Sequence, residues 1–206
     1  MDHLSSLTSI IDTRKRNGKS TFSAFIDFRK AFDSINRDIL WRKLARLGLS
    51  SKMIAAVKSL YSNIASRVRL NGHYTDWFAV KTGLRQGYAL STILFNLYIN
   101  DLALLLKSSH KGINIDNEDI CVLKYADDIV LIAEHEDNLQ CMLTMLNDWC
   151  ESNCMSVNGG KSNIVHFRPN ACTRSEFLIT CVSLTIEYSS QYMYLGVILS
   201  NTWILV

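Results

Sequence analysis

The sequence predicts an α+β fold in which helices pack against one mixed β-sheet. The chain has 206 residues, 48% of them apolar, which is enough for one sizeable hydrophobic core. The spacing of apolar residues changes several times between the alternation of a strand and the 3.6-residue period of a helix. Strands and helices do not follow the regular repeat of a parallel sheet, so a mixed α+β domain is expected. With one proline and no internal repeat, we expect one continuous domain over residues 1–206.

Turn and capping residues separate the elements predicted for the first half of the chain. Asn36 is a suitable helix N-cap, and Gly48 is a suitable residue to end that helix. Asn71-Gly72 is a strong signal for a tight hairpin turn. The predicted elements are a strand over residues 22–26, a helix between Asn36 and Gly48, a helix from Ser50 or Ser51 with an apolar stripe to Ile64, and a hairpin of residues 68–70 and 77–80.

The second half of the chain also alternates between predicted strands and helices. A loop over residues 83–87 precedes a long apolar helix, and two apolar runs flank Ala126-Asp127-Asp128 as a strand, turn and strand. The remaining predicted elements are a helix over residues 92–107, a helix over 139–150, a strand pair formed by Val157 and residues 164–167 around the turn 158–160, and a β-hairpin within 184–199.

Charge is distributed unevenly along the chain. Residues 1–85 contain sixteen Lys and Arg against six Asp and Glu, whereas residues 86–206 contain six against thirteen. A basic half suits a polyanionic partner and an acidic half suits cations, although solvated helix faces can differ in charge without any partner.

Hydropathy gives no sign of a membrane protein. The longest apolar stretch, residues 93–106, is interrupted by Asn96, Asn100 and Asp101, so no run approaches the roughly 18 residues that span a bilayer. No secretory signal is evident at the N-terminus. We therefore expect an intracellular protein without a membrane partner, whose six cysteines stay reduced.

Three carboxylates at predicted strand ends are the first candidates for chemistry. Asp127 and Asp128 are adjacent between two apolar strands, where like charges repel unless a cation neutralises them. Asp-Asp is also common in solvated turns, but Asp27 follows an apolar strand in the same way. Three such carboxylates fit a site for two Mg²⁺ ions that promotes in-line phosphoryl displacement.

The order of motifs resembles that of reverse transcriptases, and particularly those of non-LTR retrotransposons. The segment from Asp27 to Asp33 resembles the first polymerase motif of the family, and Tyr125-Ala126-Asp127-Asp128 resembles its YxDD box. Between them, residues 83–87 resemble the motif that ends in Gln-Gly, and residues 94–102 resemble the helix that follows it. Residues 158–161 resemble the lysine-bearing motif, and Tyr194-Leu195-Gly196 resembles the primer-grip hairpin.

The resemblance implies a role for each matching residue. Asp27, Asp127 and Asp128 would be catalytic and would bind two Mg²⁺ ions, or Mn²⁺, with help from the Phe28 carbonyl. The substrate-binding residues would be Phe32 as the gate against a 2′-hydroxyl, Gln86 and Gly87 beside nucleotide and template, Tyr125 of the box, and Lys161 near the triphosphate. Phe32 could instead be a packing residue, and Lys161 a solvated turn lysine. The implied partners are an RNA template, a DNA primer and deoxynucleoside triphosphates.

The resemblance also implies a polymerase palm-type mixed sheet with packed helices, partial fingers and no thumb. Residues 1–21 would be a fingers remnant, and residues 22–199 the palm with intervening fingers helices. The sequence lacks two prolines that commonly follow the Gln-Gly pair, which predicts a less preorganised pocket. Two other hypotheses remain open at this point. The chain could be a catalytically silent remnant that binds nucleic acid, or an intron-type reverse transcriptase with a maturase role.

Overall fold

The computed structural model describes residues 3–169, 172–181, 184–201 and 204–205. The helices are α1 (His3–Arg16), α2 (Ala31–Ser34), α3 (Arg37–Arg46), α4 (Ser51–Leu60), α5 (Ala89–Tyr98), α6 (Asn100–Lys107) and α7 (Glu136–Ser152). The strands are β1 (Thr21–Ile26), β2 (Ala65–Ser66), β3 (Arg69–Leu70), β4 (His73–Tyr74), β5 (Phe78–Ala79), β6 (Ile113–Ile115), β7 (Glu118–Ile120), β8 (Val122–Tyr125), β9 (Asp128–Ala133), β10 (Asn163–Phe167), β11 (Thr180–Cys181), β12 (Leu184–Thr185), β13 (Glu187–Tyr188), β14 (Gln191–Tyr194), β15 (Val197–Ser200) and β16 (Ile204–Leu205).

The chain divides into two compact units. Unit 1 comprises Met1–Arg29 and Asn100–Val206, and unit 2 comprises Lys30–Ile99. The division sharpens the charge asymmetry of the sequence, because unit 2 contains eleven Lys and Arg against three Asp and Glu. The rest of the chain contains eleven against sixteen, so unit 1 is acidic.

Unit 1 is built on a five-stranded sheet in the order β13-β10-β1-β9-β8. Strand β13 runs parallel to β10, and the other neighbours are antiparallel, which confirms the predicted mixed sheet. Strand β1 is buried along its whole length because it lies at the centre of this sheet. Its apolar run ends at Asp27, as predicted from the sequence.

Helix α1 and the β14–β15 hairpin contribute to one hydrophobic core in unit 1. Leu7, Ile10 and Ile11 of α1 are buried with Phe25 of β1 and Tyr194 of β14. These three α1 residues have the i, i+3, i+4 spacing of an amphipathic helix, a signal that the sequence prediction missed. The cluster's other buried members are Ile113, Val130, Ile132, Val165, Phe167 and Leu199.

Arg14 fixes the end of α1 against the central sheet. Its guanidinium forms an ion pair with Glu134, just after β9, and donates a hydrogen bond of 3.0 Å to the Thr21 hydroxyl of β1. The hydrogen bond from Arg14 lowers the pKa of the Glu134 carboxyl. Arg14 lies in the basic cluster that ends α1, but its side chain is buried. It therefore contributes to the packing of α1 on the sheet of unit 1.

Of two strand pairings predicted in the second half, one has a different partner from that expected and the other is confirmed. Strand β10 pairs with β1 rather than with Val157, which forms an isolated bridge to Phe28. The prediction was wrong because it paired sequence neighbours, whereas a central strand such as β1 needs hydrogen-bonding partners on both sides. The hairpin predicted within residues 184–199 is confirmed for β14 and β15, which pair around Leu195-Gly196.

Unit 2 contains the two predicted helices with the expected caps. Asn36 accepts hydrogen bonds from the backbone N–H groups of Asp38 and Ile39, and Ser50 accepts one from Met53. Gly48 has a φ of +86°, the left-handed conformation that commonly ends a helix. Helix α4 ends at Leu60, so the apolar stripe beyond it to Ile64 is not helical.

The hairpin predicted around Asn71-Gly72 is correct at its tip and wrong at its base. Strands β3 and β4 pair across the turn, whereas β5 pairs with β2 instead of with residues 68–70. The chain therefore forms two short ladders rather than one.

The predicted apolar helix begins earlier than expected and is interrupted at Ile99. Asn100 and Asp101 begin α6, in keeping with the preference of short polar side chains for helix starts. By length and hydropathy, Ala89–Lys107 as a whole could cross a bilayer. The core helix of a globular protein meets the same criteria, so this property alone is weak evidence for a membrane segment.

Gly83 is expected to be the least replaceable of the glycines with positive φ in unit 2. A Cβ at this residue would lie 2.8 Å from the Asp33 carbonyl oxygen, and φ is +79°. Gly48 has a similar φ of +86° but no atom within 4 Å of such a Cβ. We expect Gly48→Ala to lower the free energy of unfolding by about 1 kcal/mol and Gly83→Ala by roughly 2 to 4 kcal/mol. Urea unfolding followed by circular dichroism measures both, and equal losses would contradict the predicted steric contact.

Candidate active site

The three predicted catalytic carboxylates lie at one end of the central sheet of unit 1. Ile26 and Ile129 are the last residues paired between β1 and β9, so Asp27 and Asp128 follow at the next position on facing strands. Strands β8 and β9 pair as far as Tyr125 and Asp128, which leaves Ala126 and Asp127 as a two-residue turn. Sheet pairing therefore brings together acidic residues from two distant parts of the sequence.

The turn of the YxDD-like box has an unusual backbone. Ala126 has a φ of +53°, in the left-handed region that side chains other than glycine rarely adopt. Two-residue hairpin turns require positive φ at central positions, so this strain follows from the shortness of the connection. Tyr125 is exposed and makes an edge-to-face contact with His3, with ring centroids 6.1 Å apart.

The carboxylates at this sheet end repel one another. Burial raises the pKa of the Asp128 carboxyl, and the charges of Asp127 and Asp27 raise it further. A bound cation would remove this repulsion, and carboxylate oxygens are the ligands that Mg²⁺ prefers. The residue types therefore fit a divalent metal ion of the hard, oxygen-binding kind.

These side chains do not form a preassembled metal cage. Within the described ranges, no three Asp, Glu, His or Cys side chains converge closely enough to hold an ion. One oxygen of Asp27 is instead occupied by the side-chain amide of Asn158. Metal binding by the predicted set therefore requires side chains at the sheet end to reorient.

Asn158 holds Asp27 by both backbone and side chain. Its backbone N–H donates to the Asp27 carbonyl at 2.7 Å, and its Nδ2 donates to Asp27 Oδ2 at 2.9 Å. The Asp27 N–H donates to Ser162 Oγ at 3.1 Å. In the sequence Asn158 is only the first residue of the lysine-bearing motif, and its contact with Asp27 spans 131 residues. Asn158 is thus the residue that orients the first carboxylate.

Phe28 and Lys161 flank this contact. The bridge between Phe28 and Val157 is closed by hydrogen bonds from Arg29 N–H to Ser156 O and from Asn158 N–H to Asp27 O. The Phe28 carbonyl takes no part in these two bonds, and its predicted role as a metal ligand stays a prediction. Lys161 is exposed, and its backbone N–H closes the turn onto the Asn158 carbonyl at 3.0 Å.

Tyr192 is a further residue near the carboxylates that the sequence analysis did not identify. Its ring stacks on Phe25 with centroids 4.3 Å apart, and Phe25 lies two residues before Asp27 on the same face of β1. Burial raises the pKa of the Tyr192 phenol, and the charges of Asp128 and Asp27 add to the effect. The β14–β15 hairpin, which contains the primer-grip-like Tyr194-Leu195-Gly196, therefore packs beside the acidic sheet end.

The other predicted substrate-binding residues belong to unit 2. Phe32 is half-buried, and its ring stacks on Phe95 with centroids 4.8 Å apart. Gln86 is exposed and donates from Nε2 to Asp33 Oδ1 at 3.2 Å. Gly87 has a φ of +84°, so the Gln-Gly pair forms a turn for which glycine is well suited. The packing of Phe32 on Phe95 agrees with the simpler packing role as well, and the gate stays a prediction.

Arg37 holds the segment that precedes this turn. Its guanidinium donates to the carbonyl oxygens of Gly83 at 2.8 Å, Val80 at 2.9 Å and Thr82 at 3.0 Å. Burial lowers the pKa of the Arg37 side chain. Five N–H donors in one plane explain why arginine can bind several carbonyls at once. No sequence motif marked this residue.

A serine fixes the other side of the turn. Ser91 Oγ donates to the Arg85 carbonyl at 2.6 Å, and it lies 3.2 Å from the Tyr61 hydroxyl. The sequence lacks the two prolines that were expected to give this region rigidity. In their absence, the backbone that precedes Gln86-Gly87 is held by side-chain hydrogen bonds, and the bond from Ser91 joins it to the residues that follow the turn.

The whole chain up to residue 199 matches one protein family. Residues 1–199 match the family described as reverse transcriptase (RNA-dependent DNA polymerase). Similar curated proteins include two Pol polyproteins of the type-1 retrotransposable element R2. That of Popillia japonica is 30% identical over 76% of this chain and 22% of its own length, and that of Nasonia vitripennis is 26% identical over 97% and 20%. The chain spans about a fifth of the length of these relatives.

A solved structure supports the fold. The telomerase of Candida albicans, determined with a fragment of telomeric RNA, has a TM-score of 0.63 to this chain at 14% identity. The match covers 95% of this chain and 32% of the telomerase. The match of residues 1–199 to the family model and the similarity to the R2 polyproteins, together with the ordered motifs, show that the protein belongs to the reverse transcriptase family, in the group of non-LTR retrotransposons.

Proposed function

We propose that this chain is the core of an RNA-directed DNA polymerase that extends a primer 3′-hydroxyl with deoxynucleotides. The observation that carries the proposal is the pairing of β1 with β9, which puts Asp27 beside Asp128, with Asp127 in the adjoining turn. Reverse transcriptases generally use divalent metal ions. We assign two Mg²⁺ ions, with Mn²⁺ as a substitute, to these three carboxylates and the Phe28 carbonyl.

Each residue then has a defined task in nucleotidyl transfer. The metal ions, when bound, would supply positive charge to the attacking and leaving oxygens. Asn158 keeps the Asp27 carboxylate oriented through a neutral N–H donor, which adds no competing positive charge. Lys161, exposed on the adjacent turn, offers a mobile cation for a triphosphate. Tyr125 presents an exposed aromatic ring next to the turn.

Residues of unit 2 account for nucleotide and template selection in this proposal. Phe32 acts as the gate against a ribose 2′-hydroxyl, and Gln86 with Gly87 offers an amide and an open backbone to nucleotide and template. The RNA template, DNA primer and deoxynucleoside triphosphates are inferred from the family, since this chain covers only part of its relatives. An intracellular location is part of the same proposal.

A second candidate is a catalytically silent chain that only binds nucleic acid. It is favoured by the lack of convergence among the carboxylates and by the strongly basic composition of unit 2. The two candidates differ in one measurable property, which is incorporation of nucleotides that depends on Asp127.

Primer extension on an RNA template tests the main proposal. We expect slow Mg²⁺-dependent incorporation by the wild-type chain and a loss of at least about 100-fold in Asp127→Asn, because one metal ligand loses its charge. Asp116→Asn, an exposed acidic residue in the β6–β7 turn, is the matched control and should extend like the wild type. Extension that survives Asp127→Asn would refute the metal site, and a wild type that binds template without extending it would support the silent candidate.

Asn158→Ala tests whether the amide positions Asp27. Without the donor, the carboxylate loses its fixed orientation, so we expect the Mg²⁺ concentration for half-maximal incorporation to rise roughly tenfold. Gly160→Ala, in the same turn, is the control, because its Cβ would meet only Asn158 Oδ1 at 3.8 Å. Unchanged Mg²⁺ dependence in Asn158→Ala, with incorporation at the wild-type rate, would exclude this role.

Phe32→Val tests the gate. A smaller side chain would admit the 2′-hydroxyl, so we expect discrimination against ribonucleotides to fall by roughly 10- to 100-fold while deoxynucleotide incorporation persists. Phe95→Leu is the control, since it removes the ring on which Phe32 stacks and leaves Phe32 in place. Sugar discrimination that is unchanged in Phe32→Val would assign the ring to packing.

A further inference from the structure

The segment of residues 65–79 exposes an unusual number of large apolar side chains. We call it the Arg-aromatic hairpin; it comprises the β3–β4 tip and the β2–β5 ladder. Its most exposed large residues are Leu70 at 69%, Trp77 at 64%, Val68 and Tyr74 at 52% and Phe78 at 48%. Exposed apolar side chains gathered in one place usually mark an interaction site.

Arginine side chains lie over the aromatic rings of this hairpin. The Arg67 guanidinium carbon is 3.9 Å from the ring centroid of Tyr74 and 4.7 Å from that of Trp77. The Arg69 guanidinium carbon is 5.7 Å from the Tyr74 centroid. Stacking limits the rotamers of both the arginines and the rings before any ligand binds. Binding therefore costs little further side-chain entropy. The result is a preformed row of planar groups on an exposed surface.

Planar cations and rings in alternation suit one class of ligand. Nucleobases stack on aromatic and guanidinium faces, and phosphates pair with arginine. The excess of Lys and Arg in unit 2 adds a general attraction for a polyanion, and Asp76 is the one acidic residue in the hairpin. In a duplex the base faces are already stacked on each other, so this surface favours unpaired strands.

We propose that the Arg-aromatic hairpin binds single-stranded nucleic acid by base stacking, as a site separate from the catalytic carboxylates. The inference rests on the proposed function only in that the ligand would be an unpaired template strand. Binding at the hairpin requires neither metal ions nor incorporation. Binding at the hairpin can therefore be tested independently of any polymerase activity of the chain.

Fluorescence anisotropy of labelled strands tests this site in the intact chain. The probes are oligo(U) RNA and oligo(dT) DNA of about 12 nucleotides, and a random-sequence duplex of the same length. We expect Arg67→Ala with Trp77→Ala to weaken binding of the single strands by roughly tenfold or more and of the duplex by less than about threefold. Lys52→Ala with Met53→Ala is the matched control, because it removes one exposed cation and one exposed apolar side chain from the same unit without any ring stack.

The conservative variant separates stacking from charge. Trp77→Phe retains an aromatic face and should keep affinity within about threefold of wild type, whereas Trp77→Ala should not. Equal weakening for single strands and duplex would overturn the proposal in favour of plain charge attraction. Single-strand binding that is as strong in the double variant as in the control would overturn it as well.

The same variants test the hairpin site and the polymerase proposal separately. Asp127→Asn should bind single strands like the wild type, since its carboxylate lies in unit 1 and not in the hairpin. A wild type that binds through the hairpin but does not extend a primer would refute polymerisation alone. A hairpin variant that extends a primer at wild-type template affinity would refute the hairpin site alone.

Discussion

The register between β1 and β9 is the constraint on which the candidate active site depends. Side chains alternate between the two faces of a sheet, so a slip of one residue would turn Asp27 and Asp128 to opposite faces. The buried pairs from Phe22–Ala133 to Ile26–Ile129 oppose that slip, because it would turn Val130 and Ile132 to the opposite face of the sheet from Phe25, with which they share one buried cluster. The hydrophobic centre of the sheet thereby sets the position of charged groups at its end. The position of the candidate site is a consequence of core packing, since the like charges of the carboxylates repel one another.

Like charges at one sheet end need a neighbour that fixes them without neutralising them. A lysine in place of Asn158 would lower the repulsion at Asp27, but it would also compete with a metal ion for the carboxylate. An amide donates a hydrogen bond and adds no charge, so one oxygen is held without a positive charge beside it. The bonds from Asn158 N–H to Asp27 O and from Asp27 N–H to Ser162 Oγ fix the backbone on both sides of that carboxylate. A site can thus be ordered locally and still lack the convergence that an ion would impose.

Local sequence signals were sufficient for elements whose partners are close in the chain. The apolar runs on both sides of Asp127-Asp128 are joined by a turn so short that they become neighbouring strands, and the β8–β9 hairpin is where it was predicted. Asn36, Gly48 and Ser50 act through backbone groups within three residues, so the helix ends followed from capping chemistry. The base of the β3–β4 hairpin was mispredicted because ladders of two residues give no periodicity to detect.

Contacts between distant segments were beyond such reasoning, and they include the residues that order the site. No residue near Asn158 in the sequence indicates that its amide contacts Asp27. Likewise, no residue near Arg37 indicates that its guanidinium donates hydrogen bonds to three carbonyl oxygens within residues 80–83. The family resemblance identifies the residues that are expected to bind substrate. It does not identify the hydrogen bonds by which this chain positions them. The Gln-Gly turn is an example, because the absence of two prolines after it predicted a less preorganised pocket. Proline stiffens a turn through its own ring, whereas Ser91 and Arg37 reach the same turn from outside it. These hydrogen bonds come from α3 and α5, which pack together, so they depend on the fold of unit 2 rather than on the motif.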